Sequence, residues 1–266
     1  MKKLDNCFRY VLGTYITFWL MVLVICGGAA MLFHSSAIVM RVLSNVCAWS
    51  PTFVLWAMFH KLKPGHKLMD FYREAFQGKI RISIILLLFV IISGGTCLSV
   101  WILSLIQGKE IQTYFSLGEY TLLASFLFSF LSGPTGEESG WRGYLRVELN
   151  NKYSFIKSSL IQGIIWAFWH TILWFVDSDF MGLSMIPYII ANVVVMTSLT
   201  FIMNIILEKY HNLFYAIVIH FAFNFVYCFL KVDIWFYFIM SIVYVLIAFV
   251  FYQNRNQQHR KMKSLN

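Results

Sequence analysis

Two adjacent carboxylates, Glu137 and Glu138, lie in a chain that is otherwise almost free of charge in its apolar stretches. Hydrocarbon strongly disfavours ionised groups, so acids kept at membrane depth usually serve a pathway or a reaction. Further along, His170, His220 and Asn224 interrupt other apolar stretches. An acid, two imidazoles and an amide together point to hydrolysis rather than to packing alone. A carboxylate can take a proton from water, and imidazole and amide N–H groups can hold developing negative charge.

The acids sit in SGPTGEESGWRGYLRVELNN, from Ser132 to Asn151. Gly133-Pro134 permits a kink or a helix start, and Thr135 is placed to cap the helix beyond it. Helical spacing then makes Glu138 and Arg142 i,i+4 neighbours, in the favourable acid-before-base order. Glu137 has Trp141 and Tyr144 on its face and no cation at i+3 or i+4. One acid is thus neutralised and held while the other stays unpaired, and an unpaired carboxylate in apolar surroundings suits a general base. Gly133, Gly136, Gly140 and Gly143 form a stripe that lets another helix approach closely. Taken alone, the segment also fits an interfacial amphipathic helix with solvated Glu and Arg. Likewise, His170 in IIWAFWHTILW reads alone as a hydrogen-bonded packing residue. His220 and Asn224, one turn apart in IVIHFAFNF, read alone as interhelical glue. Three separate polar intrusions are harder to dismiss than one.

These residues must be held by helices. Of 266 residues, 59% are hydrophobic and 12% charged, with a mean hydropathy of +0.70. A soluble domain is nearer one quarter charged. Apolar runs of spanning length recur, so the chain is an all-α, multi-pass protein of the cell membrane. Eight transmembrane helices are predicted, near 10–33, 40–60, 83–106, 118–135 or beyond, 157–176, 185–206, 212–230 and 232–252. The first has the basic start of a signal peptide but no convincing cleavage pattern, and reads as a retained helix. With both termini cytoplasmic, 18 Lys/Arg fall on the cytoplasmic side and only Arg41, Lys109 and Lys231 on the other, as the positive-inside rule requires. The net charge of +9 is therefore topology and contact with anionic lipid rather than a nucleic-acid surface.

Residues 1–115 read as an accessory half, with a cytoplasmic amphipathic stretch at 61–82, either a surface helix or a solvated loop. Residues 116–230 carry every intramembrane polar candidate. Residues 231–266 supply a last helix and a basic tail, disordered after Tyr252. The five cysteines are scattered, form no CxxC, and read as small buried hydrophobes rather than disulfide or zinc frameworks. Counting along the helices puts Glu137 and His170 about 20 Å, and His220 about 13 Å, from the cytoplasmic ends. The four side chains are expected around one water-accessible hollow beneath the cytoplasmic face.

GEESGWRG matches the EExxxR motif, and the segment is thereby similar to the CAAX-protease and bacteriocin-processing (CPBP, or Abi) family of intramembrane proteases. His170 stands where the family's FxxxH motif falls, with Trp166 in place of Phe, and His220 with Asn224 matches HxxxN. The resemblance covers roughly 115–230. It implies an intramembrane endopeptidase acting on a small hydrophobic or membrane-bound peptide, in pheromone or bacteriocin maturation or in self-immunity. By the resemblance Glu137 activates water with help from His170, His220 and Asn224 stabilise the oxyanion, and Glu138 with Arg142 holds the architecture. The family is also labelled metalloprotease, and Glu137, His170 and His220 are a conceivable Zn²⁺ set. With no HExxH present, a metal-free glutamate mechanism is preferred. A non-catalytic immunity or scaffold protein would not need this residue set. A transporter would be expected to show internal repeats, which are absent.

Overall fold

The computed structural model describes residues 5–116, 120–176 and 180–263, and among them the chain is all-helical, with one isolated β-bridge between Phe115 and Leu230. Helix α1 is Asn6–Phe33 and α2 is Ala37–Leu62. The short α3 is Leu68–Ala75 and α4 is Ile82–Gln107. Helix α5 is Leu122–Leu131. Helix α6 covers 133–150, beginning as Gly133–Glu138, widening into π-helix over Ser139–Leu145 and closing as Arg146–Asn150. The remaining helices are α7 (Phe155–Val176), α8 (Met185–Tyr210), α9 (Phe214–Tyr227) and α10 (Ile234–Lys263).

Six of these, α1, α2, α4, α7, α8 with its leading turn, and α10, are long and apolar enough to cross a membrane, and α9 is a shorter apolar helix. Large apolar side chains such as Leu32, Phe33, Val90 and Phe249 project from them exposed. A soluble protein would bury such a belt, whereas lipid solvates it. The protein is a multi-pass membrane protein. Six of the eight predicted crossings coincide with these long helices. The seventh is the short α9, and the fourth is a pair, α5 and α6, broken at Ser132; its predicted start at 118 lies outside the described residues.

The break has a local cause. Ser132 has φ −80° and ψ −121°, and Pro134 stands in the first turn of α6, where its missing N–H costs nothing. Ser132, not the predicted Thr135, holds the N-cap position; Thr135 lies inside the helix and donates to the Phe130 carbonyl at 3.1 Å.

Helix α8 is the central post, packed on α7 and α10, while α9 lies against α4. Helix α6 is enclosed rather than lying on a surface: Trp141, Tyr144 and Leu145 are fully buried. Its glycine stripe does face neighbouring helices. A Cβ on Gly136 would meet the Trp49 ring at 2.5 Å, and one on Gly140 would collide with the Tyr10 hydroxyl. The first helices are therefore built into the core through Tyr10, Phe18 and Leu55.

Of the two readings of 61–82, the amphipathic helix is present as α3, one face buried and Met69, Arg73 and Glu74 exposed, and the stretch is not a simple solvated loop. Helix α3 buries Phe71, and the turn after it is tied to 211–213 by Gly78 N–H donating to the His211 carbonyl (3.0 Å) and Asn212 Nδ2 donating to the carbonyls of Phe76 (3.0 Å) and Gly78 (2.5 Å). The basic tail, expected to be disordered, continues α10 through Lys263, and Arg255 grips Glu208 of α8 in a bidentate pair at 2.5 and 2.9 Å. The cysteines also divide: Cys7, Cys26 and Cys47 are buried as expected, but Cys97 and Cys228 are exposed.

Candidate active site

The double acid separates into two environments. Glu138 is wholly buried, and its Oε1 lies 3.2 Å from Arg142 Nη1 and 2.7 Å from His220 Nδ1. Arg142 is buried too; its Nη2 donates to Thr200 Oγ1 of α8 at 2.8 Å, and its guanidinium stacks on the Trp166 ring at 4.0 Å. The expected i,i+4 pair is present, but inside the bundle rather than on a solvated face. Through it α6 is joined to α7, α8 and α9. Removing one partner of such a buried pair leaves an uncompensated charge, at a cost of about 3–5 kcal/mol.

Glu137, one residue earlier, makes no ion pair among the described residues. It is 3% exposed, and its Oε2 accepts a hydrogen bond from the indole N–H of Trp166 at 2.6 Å. Its Oε1 faces Gly133. A Cβ on that glycine would stand 2.6 Å from Glu137 Oε1 and 2.8 Å from His220 Nε2, so only glycine fits between the acid and the imidazole.

His170 ends the first segment of α7 with φ −74° and ψ −1°, half-buried between Trp166 and Trp169. Its Nδ1 lies 2.9 Å from the Trp166 carbonyl. A carbonyl only accepts, so Nδ1 carries the proton and Nε2 keeps its lone pair. His220 is held in turn by Glu138 through Nδ1, which leaves Nε2 on the Gly133 side. The Asn224 amide, one turn further along α9, makes no hydrogen bond among the described residues.

Glu137, His170, His220 and Asn224 all line one cavity of about 420 Å³. A second, of about 900 Å³, shares His170 and Asn224 with it. All four groups therefore border one hollow. The sequence places this hollow beneath the basic cytoplasmic loops, but the cavities open elsewhere. Their outer walls carry Arg41, Tyr120, Lys109, Lys231 and Asp233, at the opposite ends of the helices. Phe18, Arg41 and Asn45 of the first two helices also line the site, so the N-terminal part contributes to its wall.

Among the described residues no three His, Cys, Asp or Glu side chains form a group that could hold a metal ion.

In the sequence Trp166 reads only as an aromatic standing in for Phe. In the structure its indole touches three members of the site: it donates to Glu137, stacks under Arg142, and meets the His220 ring edge-on at 5.2 Å. Its backbone carbonyl holds His170. The signal is present as the departure from FxxxH, because Trp brings an N–H that Phe lacks.

Fold and site together define a multi-pass membrane protein that gathers an acid, two histidines and an asparagine on the wall of a cavity within its helices. Residues 119–226 match the family described as type II CAAX prenyl endopeptidase Rce1-like. The chain is also 29% identical over 189 residues to a CAAX prenyl protease 2 of Methanococcus maripaludis, covering 66% of this chain and 67% of that relative. Both likenesses are to CAAX-type membrane proteases, the group that the motifs resemble.

Trp166→Phe restores the motif's aromatic, deletes the N–H donor and trims the ring under Arg142. A hydrogen bond to a charged group contributes about 1.5–3 kcal/mol, so kcat is expected to fall roughly 10- to 100-fold. KM should change little, while thermal stability in detergent should fall modestly from the ring lost beneath Arg142. An unchanged kcat would show that the indole N–H has no part in positioning Glu137.

Proposed function

We propose that this membrane endopeptidase cleaves a peptide bond with a water molecule activated by Glu137, without a metal. The observation that carries the reading is the division of labour between the two acids. Glu138 takes both Arg142 and His220, while Glu137 is left with one neutral donor beside a cavity.

In this mechanism a water lies between Glu137 and His170. His170 Nε2 accepts one of its protons in a hydrogen bond and aims the oxygen. As the oxygen attacks the carbonyl carbon, Glu137 takes the other proton, and the carbonyl oxygen becomes an oxyanion. The Asn224 amide donates to that oxygen, as does His220 through Nε2–H in its imidazolium form, with Glu138 balancing the ring's charge. The C–N bond then breaks, and Glu137 returns the proton to the leaving nitrogen. The substrate is a small hydrophobic or membrane-bound peptide or protein. The relative from Methanococcus maripaludis is named for prenylated CAAX substrates; peptide pheromone or bacteriocin processing, or self-immunity, is equally compatible with this site.

Glu137→Gln should leave expression and folding intact and abolish turnover. The check is mass spectrometry of membrane peptides from wild-type and variant cells: a precursor should accumulate and its fragments vanish. Identical peptide profiles would overturn the mechanism. Asn224→Ala should lower kcat by about 10²–10³-fold, the usual effect of losing one oxyanion donor, with little change in substrate binding. Weakened binding at an unchanged kcat would contradict the assigned role. Turnover by purified protein should survive exhaustive treatment with a chelator, with metal content verified by elemental analysis. Loss of activity restored by Zn²⁺ would replace the metal-free scheme.

A further inference from the structure

We propose that a further pocket, where the 61–82 stretch meets the turn between α8 and α9, binds a phosphate-type oxyanion. It shares no lining residue with either site cavity, so the proposal stands apart from the peptidase reading. The pocket has a volume of about 260 Å³, and Lys63, His66, Arg142, Arg146 and His211 stand in its wall. Glu74 is the one acid there; it is exposed and makes no ion pair among the described residues.

The two arginines line the pocket from successive turns of α6, and neither is fully used. Arg142 spends Nη1 on Glu138 and Nη2 on Thr200, which leaves its Nε without a partner. Arg146 has less. Its Nη2 donates to the Asn204 carbonyl at a long 3.4 Å, its Nε is unpartnered, and it makes no ion pair among the described residues. Acids nearby are already taken: Glu208 by Arg255 at 2.5 and 2.9 Å, and Glu148 by Lys63 at 2.6 Å. Both Nε atoms are shut off from bulk water, and Arg142 as a whole is 1% exposed. A guanidinium that has lost water without gaining a carboxylate is an unbalanced charge. An anion in the pocket balances it.

The donors select the kind of anion. A guanidinium fork matches two oxygens of a phosphate. Two forks one helical turn apart, about 6 Å along the axis, suit an anion with several oxygens better than a halide. Lys63 and the two imidazoles supply further N–H donors. Phe71, Leu207 and Leu213 make part of the wall apolar, so the phosphate can be carried on an apolar body, as a lipid headgroup is. A free phosphate group satisfies the same donors.

The walls are fixed by contacts between distant segments. Leu213 N–H donates to the Ala75 carbonyl at 2.8 Å, and Asn212 Nδ2 bridges the carbonyls of Phe76 and Gly78. Gly143 lets Phe71 close against α6; a Cβ there would stand 3.0 Å from the ring. Because Arg142 also holds Glu138, an occupant steadies the buried carboxylate that joins the four helices.

The test uses the purified full-length protein in a non-ionic detergent. Inorganic phosphate and a short-chain phosphatidic acid are the probes, and a sugar-headed lipid of the same chain length is the phosphate-free control. Calorimetric titration should show saturable binding of at least one phosphate probe and none of the control. Saturation by phosphatidic acid alone makes the source a lipid headgroup; saturation by inorganic phosphate as well makes it a free phosphate group. His66→Glu, an exposed change that sets a carboxylate in the wall, should weaken binding by about tenfold or more, as should Arg146→Gln. Bound probe should raise the unfolding temperature of the wild type and not of His66→Glu. No saturable binding of either probe, or an unchanged affinity in His66→Glu or in folded Arg146→Gln, overturns the proposal. Should Arg146→Gln fold poorly, His66→Glu decides alone. A failure of Glu137→Gln to alter the peptide profile would strike at the peptidase reading and leave this result standing.

Discussion

One buried carboxylate organises the centre of this protein. Glu138 sits fully out of solvent and binds a guanidinium from its own helix and an imidazole from α9 through the same oxygen. Each charge would be prohibitively desolvated alone. Together, with Thr200 and the Trp166 ring receiving the rest of Arg142, they fix the mutual rotation of α6, α7, α8 and α9. Lipid supplies no hydrophobic drive for helices to associate, so packing and polar contacts of this kind decide how they are turned. Even so, Glu138 Oε2 and Arg142 Nε are left without protein partners. The arrangement is better understood as specifying one geometry than as maximising stability.

That geometry gives the neighbouring acid its character. Because Glu138 absorbs the nearby cation and imidazole, Glu137 faces the cavity with only an indole N–H to orient it. The widened π-helical turns from Ser139 to Leu145 carry Arg142 into this arrangement; departures of this kind from α-geometry recur at functional sites. Gly133 then lets Glu137 and His220 come together without an intervening side chain. Adjacent residues of the same type thus come to hold different chemical positions because the helix presents them to different neighbours.

Much of this is legible in the sequence. The spacing of Glu138 and Arg142 predicts their pairing, and the absence of a cation near Glu137 predicts its isolation. The apolar runs mark the long helices, and the histidines and Asn224 stand out against them. What spacing cannot supply is the rotation of one helix about another. Trp166 looks like one aromatic among many because its N–H acts on a residue of a different helix. The cavity's direction escapes a depth count made from the basic loops along straight helices, because α5 and α6 break at Ser132 and α7 changes course at His170. The tail and the 61–82 stretch look solvent-bound because their anchors, Glu208 and the 211–213 turn, are distant in sequence.

The brevity of α9 bears on the lipid itself. Its 14 residues amount to about 21 Å of helix, against roughly 30 Å of hydrocarbon in an ordinary bilayer. A helix that falls short draws the surrounding leaflet inward, and polar headgroups and water descend with it. Tyr215 to Ala222 of α9 are buried by neighbouring helices, so such thinning would be felt at its far end, around Asn224 and the site cavity. A hydrated backbone amide, the group most reluctant to enter oil, then has only a shallow layer to cross before it meets Glu137.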